Sequence, residues 1–151
     1  MMANSLFMVE INLLKLNFND KEFSHIRDIR ETVFTNELGI SKQELFDKND
    51  ETCDHFLIFD GKEIAGSVRI LFMEKMVKLE RMAILKDFRT KNYGKNCIFQ
   101  LKEYYLEHGF SHIILDSIYS VREFYKKCGF IEEGDVFQRV GIDHIRMSLT
   151  L

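Results

Sequence analysis

The sequence contains no proline and no tryptophan, and its three cysteines, Cys53, Cys97 and Cys128, lie far apart. An odd, scattered set of thiols offers neither a disulfide framework nor a paired metal-ligand spacing, and implies reduced cysteines in a cytoplasmic protein. The missing proline is read as genome composition and carries no function. No apolar run approaches the ~20 residues that span a bilayer. Met1 to Val9 also lack the charged start and long apolar core of a secretion signal. A general nucleic-acid binder needs a basic stripe, and the net charge of −3 offers none. Neither G-x-x-x-x-G-K-[ST] nor G-x-G-x-x-G occurs, so a nucleoside-triphosphate P-loop and a dinucleotide fingerprint are excluded. Cys53 and His55 share a strand face, but no second ligand pair follows, and no metal is expected. Ser117 and Ser120 lack a G-x-S-x-G elbow.

What is present suits one domain over residues 1–151, with 46% hydrophobic and 30% charged residues and 14 Phe for a core. Phe7 to Phe18 alternates in part and predicts a strand. Asp20 is placed to cap a helix carrying Phe23, Ile26, Ile29, Val33 and Phe34, which Gly39 ends. Ser41 is placed to cap a shorter helix through Phe46. Asp47 to Asp54 reads as an acidic loop. Cys53–Phe59 and Ile64–Phe72 read as a hairpin about Asp60-Gly61, with Ile64, Gly66, Val68, Ile70 and Phe72 on one face. Val77 to Leu85 follows as a strand. Its apolar phase shifts from Val77 and Leu79 to Met82 and Ile84, the mark of a bulge near Glu80-Arg81. A helix follows, with Cys97, Ile98, Leu101, Tyr104, Tyr105 and His108 in a helical pattern and Gly109 as its C-terminal cap. His112–Ser117 then reads as a strand parallel to the previous one. Val121, Phe124, Tyr125 and Cys128 form a short amphipathic helix stopped by Gly129. Phe130–Glu133 begins a strand, Phe137–Gly141 reads as a loop, and Ile142–Leu149 is the last strand. The expectation is an α/β (α+β) fold: a mixed central sheet of six to seven strands flanked by about four helices.

The stretch from Leu79 to Lys95 organises this pattern. A buried strand passes through a polar loop into a helix, which aims backbone N–H groups and the positive helix end at one spot. Arg89, Lys91 and Lys95 add charge there. Such a spot favours a phosphate-like anion, although a basic first turn on any surface helix would look the same.

Arg89-x-x-Asn92-x-Gly94 resembles the [RQ]-x-x-G-x-[GA] signature of GNAT-family N-acetyltransferases. Asn92 stands where that family has glycine, and Asn tolerates the left-handed backbone well. Phe124-Tyr125-Lys126-Lys127-Cys128-Gly129-Phe130 resembles the family's F-Y-x-x-x-G-F motif. Ile29 to Phe34 with Glu37 and Gly39-Ile40, and Phe137 with Gly141 to His144 and Met147, resemble the ElaA-like branch. Leu38, Asp116, Ile118, Ser120 and Asp143 depart from that branch on the acceptor side.

The resemblance implies a GNAT fold, acetyl-CoA as co-substrate and direct transfer of the acetyl group to a primary amine in a ternary complex. The acceptor is a small molecule or a peptide or protein amine. It implies cofactor contacts from Met82, Ala83, Ile84, Arg89, Thr90, Lys91, Asn92, Tyr93, Gly94, Lys95 and Phe124. Tyr125 matches the general acid, while its spacing also suits a core tyrosine. Glu80 is the candidate base, directly or through water, or else the partner of Arg81 or Lys78 in an ion pair. His144, an imidazole able to take up a proton, could also serve, and is assigned to acceptor binding with Arg30 and Glu37. Those last two could equally be a helix surface pair. The competing reading is a non-catalytic CoA-binding module or sensor. No membrane or nucleic-acid partner is implied, and a homodimer is among the assemblies allowed.

Overall fold

The structure is a computed structural model and describes residues 10–151. Seven strands form one sheet: β1 (Asn12–Leu16), β2 (Asp54–Asp60), β3 (Glu63–Met73), β4 (Met76–Ile84), β5 (His112–Ile118), β6 (Ile131–Arg139) and β7 (Ile142–Thr150). Their order is β1-β2-β3-β4-β5-β7-β6. Only β4 and β5 run parallel, joined as expected by a helical crossover. Three helices accompany the sheet rather than about four: α1 (Phe23–Arg30, continuing as a π-helical stretch Glu31–Glu37), α2 (Tyr93–Glu107) and α3 (Arg122–Lys127).

Helix α1 buries Phe23, Ile26, Ile29 and Val33 against Leu16, Leu57 and Ala83 on one face of the sheet. Helix α2 buries Tyr93, Cys97, Ile98, Leu101 and Tyr105 against Val68, Ile70, Leu79, Ile113, Leu115 and Met147 on the other. This is the apolar-stripe spacing read from the sequence.

Several local expectations need correction. The part of the first strand at Phe7 to Val9 lies outside the described residues; the rest is shorter, Asn12–Leu16. Asp20 does not cap α1, because its carboxylate accepts from the backbone N–H of Asn17 at 2.7 Å and closes a turn. The helix expected after Ser41 is a single 3₁₀ turn, Lys42–Glu44. The acidic loop contains a second, Lys48–Glu51, which Asp47 and Asp50 close in a reciprocal capping box. Ile64 does not share the face of Val68 and Ile70. The β2–β3 register shifts by one residue at Ile58/Phe59, and Ile64 packs on the α1 side. Phe137 is strand rather than loop: β6 runs to Arg139, and the hairpin turns on Val140 and Gly141, both at positive φ. The charged outer residues of this edge strand hide its alternation.

Candidate functional site

The bulge expected near Glu80-Arg81 is present. Arg69 pairs with Glu80 while Ser67 pairs with Ala83, so β4 holds one more residue than β3 across that step. Arg81 absorbs it at φ +54, a region costly for a side chain of its size. The bulge requires Gly66 opposite it: a Cβ there would overlap the carbonyl oxygen of Ala83 and lie 3.2 Å from Ile84 Cα. Beyond Leu79 and Leu115 the pairing of β4 with β5 stops, although both strands continue. The two strands part there, and a cleft of about 550 Å³ opens between them.

One wall is the bulged edge with Glu80, Arg81, Met82, Ala83 and Ile84; another is the start of α2 at Gly94 with Phe124 and Tyr125 of α3. Glu37 and Leu38 of the α1 extension and His144 of β7 complete it. Asn92 precedes α2 at φ +62, the left-handed conformation expected where the resembling family has glycine. The first N–H groups of α2 have no partner within the helix. Gly94 brings this turn against α3, since a Cβ on it would sit 2.9 Å from Phe124 Cζ and 3.5 Å from Met82 Cε. Backbone donors, a glycine allowing close approach and exposed Lys91 and Lys95 suit a diphosphate.

The expected residues do not all converge. Met82, Ala83, Ile84, Arg89, Gly94 and Phe124 line the cleft, while Thr90, Lys91, Asn92, Tyr93 and Lys95 do not. Tyr93 is turned inward, 3% exposed, and its hydroxyl donates to Asp60 at 2.5 Å. Arg89 is already engaged. Its guanidinium forks onto the Glu37 carboxylate at 2.7 and 2.8 Å and donates to the Ile84 carbonyl at 2.8 Å. The hydrogen bond from Arg89 to its carboxylate pulls the Glu37 carboxyl below its usual range. Arg30 is not brought to the cleft. It is wholly buried, 3.0 Å from Asp50, donates to the Leu45 carbonyl and lies over the rings of Phe23 and Phe46. Arg30 and Glu37 therefore form no pair with each other: each has its own partner.

Tyr125 stands edge-on to Phe124 and Phe130 in the cleft wall. Its hydroxyl has no polar partner among the described residues. Burial, with the nearby Cys128 and Cys97, pushes its phenol up, so it stays protonated at any ordinary pH. Glu80 is held by Arg69 at 2.8 Å and by Lys78 at 3.3 Å. The Lys78 pair was foreseen. The Arg81 pair is absent, because Arg81 reaches Asp47 and the carbonyls of Glu44 and Leu45 instead. His144 is 7% exposed and places Nδ1 2.7 Å from the Ile142 carbonyl. A carbonyl only accepts, so Nδ1 carries a proton, and it is Nε2 that can offer a lone pair.

Sequence reasoning missed the charged band beneath the cleft. Directly paired residues share a face, and the pairs Arg69↔Glu80, Lys78↔Ile114, Asp116↔Arg146, Ile118↔His144 and Phe137↔His144 put one row of polar side chains across β3, β4, β5, β7 and β6. Asp116, 2% exposed at its side chain, meets Lys78 at 3.0 Å, Arg139 at 3.2 Å and Arg146. Burial would raise its carboxyl, but the bonds from Arg146 and Lys78 win and hold it at about 2. A signal existed: Lys78 and Glu80 alternate with Val77 and Leu79, so one face of a central strand had to be polar. Arg139 was hidden by reading its strand as a loop.

A family model described as an acetyltransferase (GNAT) domain matches residues 25–151. The chain is 28% identical over 130 residues to the uncharacterized N-acetyltransferase YjcF of Bacillus subtilis, covering 85% of this chain and 93% of that one. Its fold is that of Escherichia coli ElaA, with a TM-score of 0.79, 22% identity and coverage of 92% of this chain and 99% of the other. It also matches a Bacillus subtilis acetyltransferase solved in complex with CoA, at a TM-score of 0.68 and 17% identity over 94% and 99% of the two chains. Among the described residues no helix is long and apolar enough to cross a membrane.

Proposed function

The chain belongs to the GNAT acetyltransferase family, and from that premise we propose that residues 1–151 act as one catalytic domain moving an acetyl group from acetyl-CoA to a primary amine. One observation carries the proposal: the bulged strand, the glycine-bearing start of α2 and Tyr125, whose hydroxyl has no polar partner among the described residues, meet in a single cleft. The first turn of α2 and Lys91 and Lys95 receive the diphosphate. Arg89 joins them or stays with Glu37 at the rim. The thioester lies along Met82 to Ile84, where strand N–H groups freed by the bulge face the carbonyl oxygen and stabilise the charge that develops on it.

The amine nitrogen, as a neutral base, attacks the carbonyl carbon. The C–N bond forms, the C–S bond breaks, and the sulfur leaves as a thiolate that takes the Tyr125 proton. The nitrogen sheds one proton. His144 Nε2, with Nδ1–H fixed by the Ile142 carbonyl, is the better-supported acceptor. Glu80 has both oxygens occupied by Arg69 and Lys78, which weakens it as a base and suits it to orienting a water. Tyr125 is reprotonated from solvent through the open cleft.

The test is release of CoA thiol from acetyl-CoA across an amine panel, with product mass confirming N-acetylation. Turnover above the hydrolytic background is the expected result. Tight binding of acetyl-CoA with no transfer to any amine would replace this reading with a CoA-holding module.

A further inference from the structure

At the β5–β7–β6 end of the charged band, three cations converge on one carboxylate. Asp116 needs no third partner: Lys78 and Arg146 already take its two oxygens, and Lys78 also serves Glu80. Over the whole band, six cations (Arg30, Arg69, Arg81, Lys78, Arg139 and Arg146) share five carboxylates (Asp47, Asp50, Glu80, Asp116 and Glu133), so one positive charge is left over, and Arg139, held by a single contact, carries it. Arg139 differs from Arg146, which is nearly as exposed, in lining the cleft. Its side chain is 45% exposed, it lines the cleft, and it touches Asp116 only through Nη1, with no hydrogen bond to any described residue. Its guanidinium lies 5.5 Å from the centre of the Phe137 ring, which steadies the plane without using any N–H. Phe137 in turn stacks on His144 at 5.9 Å. The surplus fork and the free imidazole nitrogen therefore stand on one face of the β6–β7 hairpin.

We propose that Arg139 is the specificity-determining residue for the acceptor, and that the acceptor is an amine carrying a carboxylate or phosphate group, which Arg139 grips while His144 faces the amine. The proposal deepens the transferase reading and rests on it. A planar guanidinium offers two parallel N–H donors matched to the oxygens of either anion. The donor side of the cleft has its own cations and backbone donors, exposed Lys91 and Lys95 with the α2 start, and does not call on this one. A cationic polyamine would have to approach the same surplus charge and gains nothing from it.

The experiment compares α-amino and ω-amino acids with their amides and their decarboxylated amines, together with an aminoalkyl phosphate and a diamine, at saturating acetyl-CoA. Charge-assisted hydrogen bonds of this kind change kcat/KM by roughly ten- to a hundredfold, so the anionic acceptors should lead by that factor. The carboxylate and phosphate arms identify which anion is native. Arg139→Gln should erase the lead by raising KM with kcat and acetyl-CoA affinity unchanged, and Arg139→Lys should restore part of it. Arg139 is half exposed on a hairpin, so neither variant threatens the fold. Calorimetry of N-acetylated amino acids against the CoA-bound protein separates the two readings. Arg139-dependent binding without any turnover would sink the transferase reading and keep the anion site. Turnover with equal preference for amides or diamines, or a lead that survives Arg139→Gln, would overturn the anion site and keep the transferase.

Discussion

Replacing Gly66 with alanine tests the bulge and the chemistry together. Gly66 is buried between Ile58 of β2 and Ile84 of β4. The added methyl would overlap the Ala83 carbonyl and sit 3.0 Å from Ile84 Cδ1. A backbone oxygen cannot rotate away, so β4 must withdraw by on the order of 1 Å to restore van der Waals contact. The hydrogen bond from Leu85 N–H to the Ala65 carbonyl, 2.8 Å long, crosses the same gap and stretches with it. Overpacking of this kind costs about 1–3 kcal/mol, and in a chain of this size each kcal/mol moves Tm by about 2–4 °C. The expected loss is thus roughly 2–12 °C. The activity should suffer more, because the strand that moves is the one proposed to hold the thioester carbonyl, and a 1 Å misplacement can cost ~10²-fold in rate. Thermal melts and steady-state kinetics on the same preparation decide the matter. Unchanged Tm with turnover within about twofold of wild type would mean that the bulge neither needs Gly66 nor positions the reacting atoms.

Asn92→Gly should leave acetyl-CoA affinity intact, whereas Asn92→Val, forced to φ near +62, should weaken it by roughly tenfold in calorimetry. Equal affinities would remove the left-handed turn from the binding argument. Tyr125→Phe keeps the ring stack and loses a hydroxyl with no polar partner among the described residues; kcat should drop by ~10²–10⁴-fold with Tm within about 2 °C of wild type, and a large Tm loss would instead make Tyr125 a core residue. Asp116 has a folded pKa of about 2 against an ordinary 3.8. Its contribution, about 2 kcal/mol, is therefore whole above roughly pH 4 and fades as pH falls toward 2. Asp116→Asn should flatten the Tm-against-pH curve in that window, and an unchanged acid limb would refute the pairing with Lys78 and Arg146.

The elements that the sequence disclosed are those written in local pattern. The stripe of Cys97, Ile98, Leu101 and Tyr105 gave α2, the phase shift from Leu79 to Met82 gave the bulge, and the Asn in a glycine's place gave the left-handed turn. Each is set by residues within one or two turns of chain. The candidate site was legible where it lies on those elements, at Met82 to Ile84, Gly94, Phe124 and Tyr125. It was not legible where partners come from far along the chain. Arg30 read as a pocket residue because nothing near it shows that Asp50, twenty residues on, neutralises it in the core. Arg89 read as a free phosphate ligand because Glu37 lies fifty-two positions away. Asp47 and Asp50 read as a solvated acidic loop, yet they close over buried Arg69 at 2.7 and 3.1 Å. Ion pairs of high sequence separation leave no periodic trace.

The π-helical extension of α1 has a consequence for how Glu37 reaches Arg89. Seven residues, Glu31 to Glu37, are wound wider than the α-turns that precede them, so the helix spends more chain on each revolution than the 3.6 residues of an α-turn. The core anchors Phe23, Ile26 and Ile29 lie before the widening and Val33 within it, whereas Glu37 ends it and Leu38 follows. Rewinding the same seven residues as ordinary helix, with none removed, would leave Phe23, Ile26 and Ile29 in place. It would rotate the later side chains by about 100° around the axis, turning Glu37 off the rim and opening the grip on Arg89. The wider winding thus works as an angular offset, aligning a buried stripe and a rim carboxylate that a regular helix of this sequence would point in different directions.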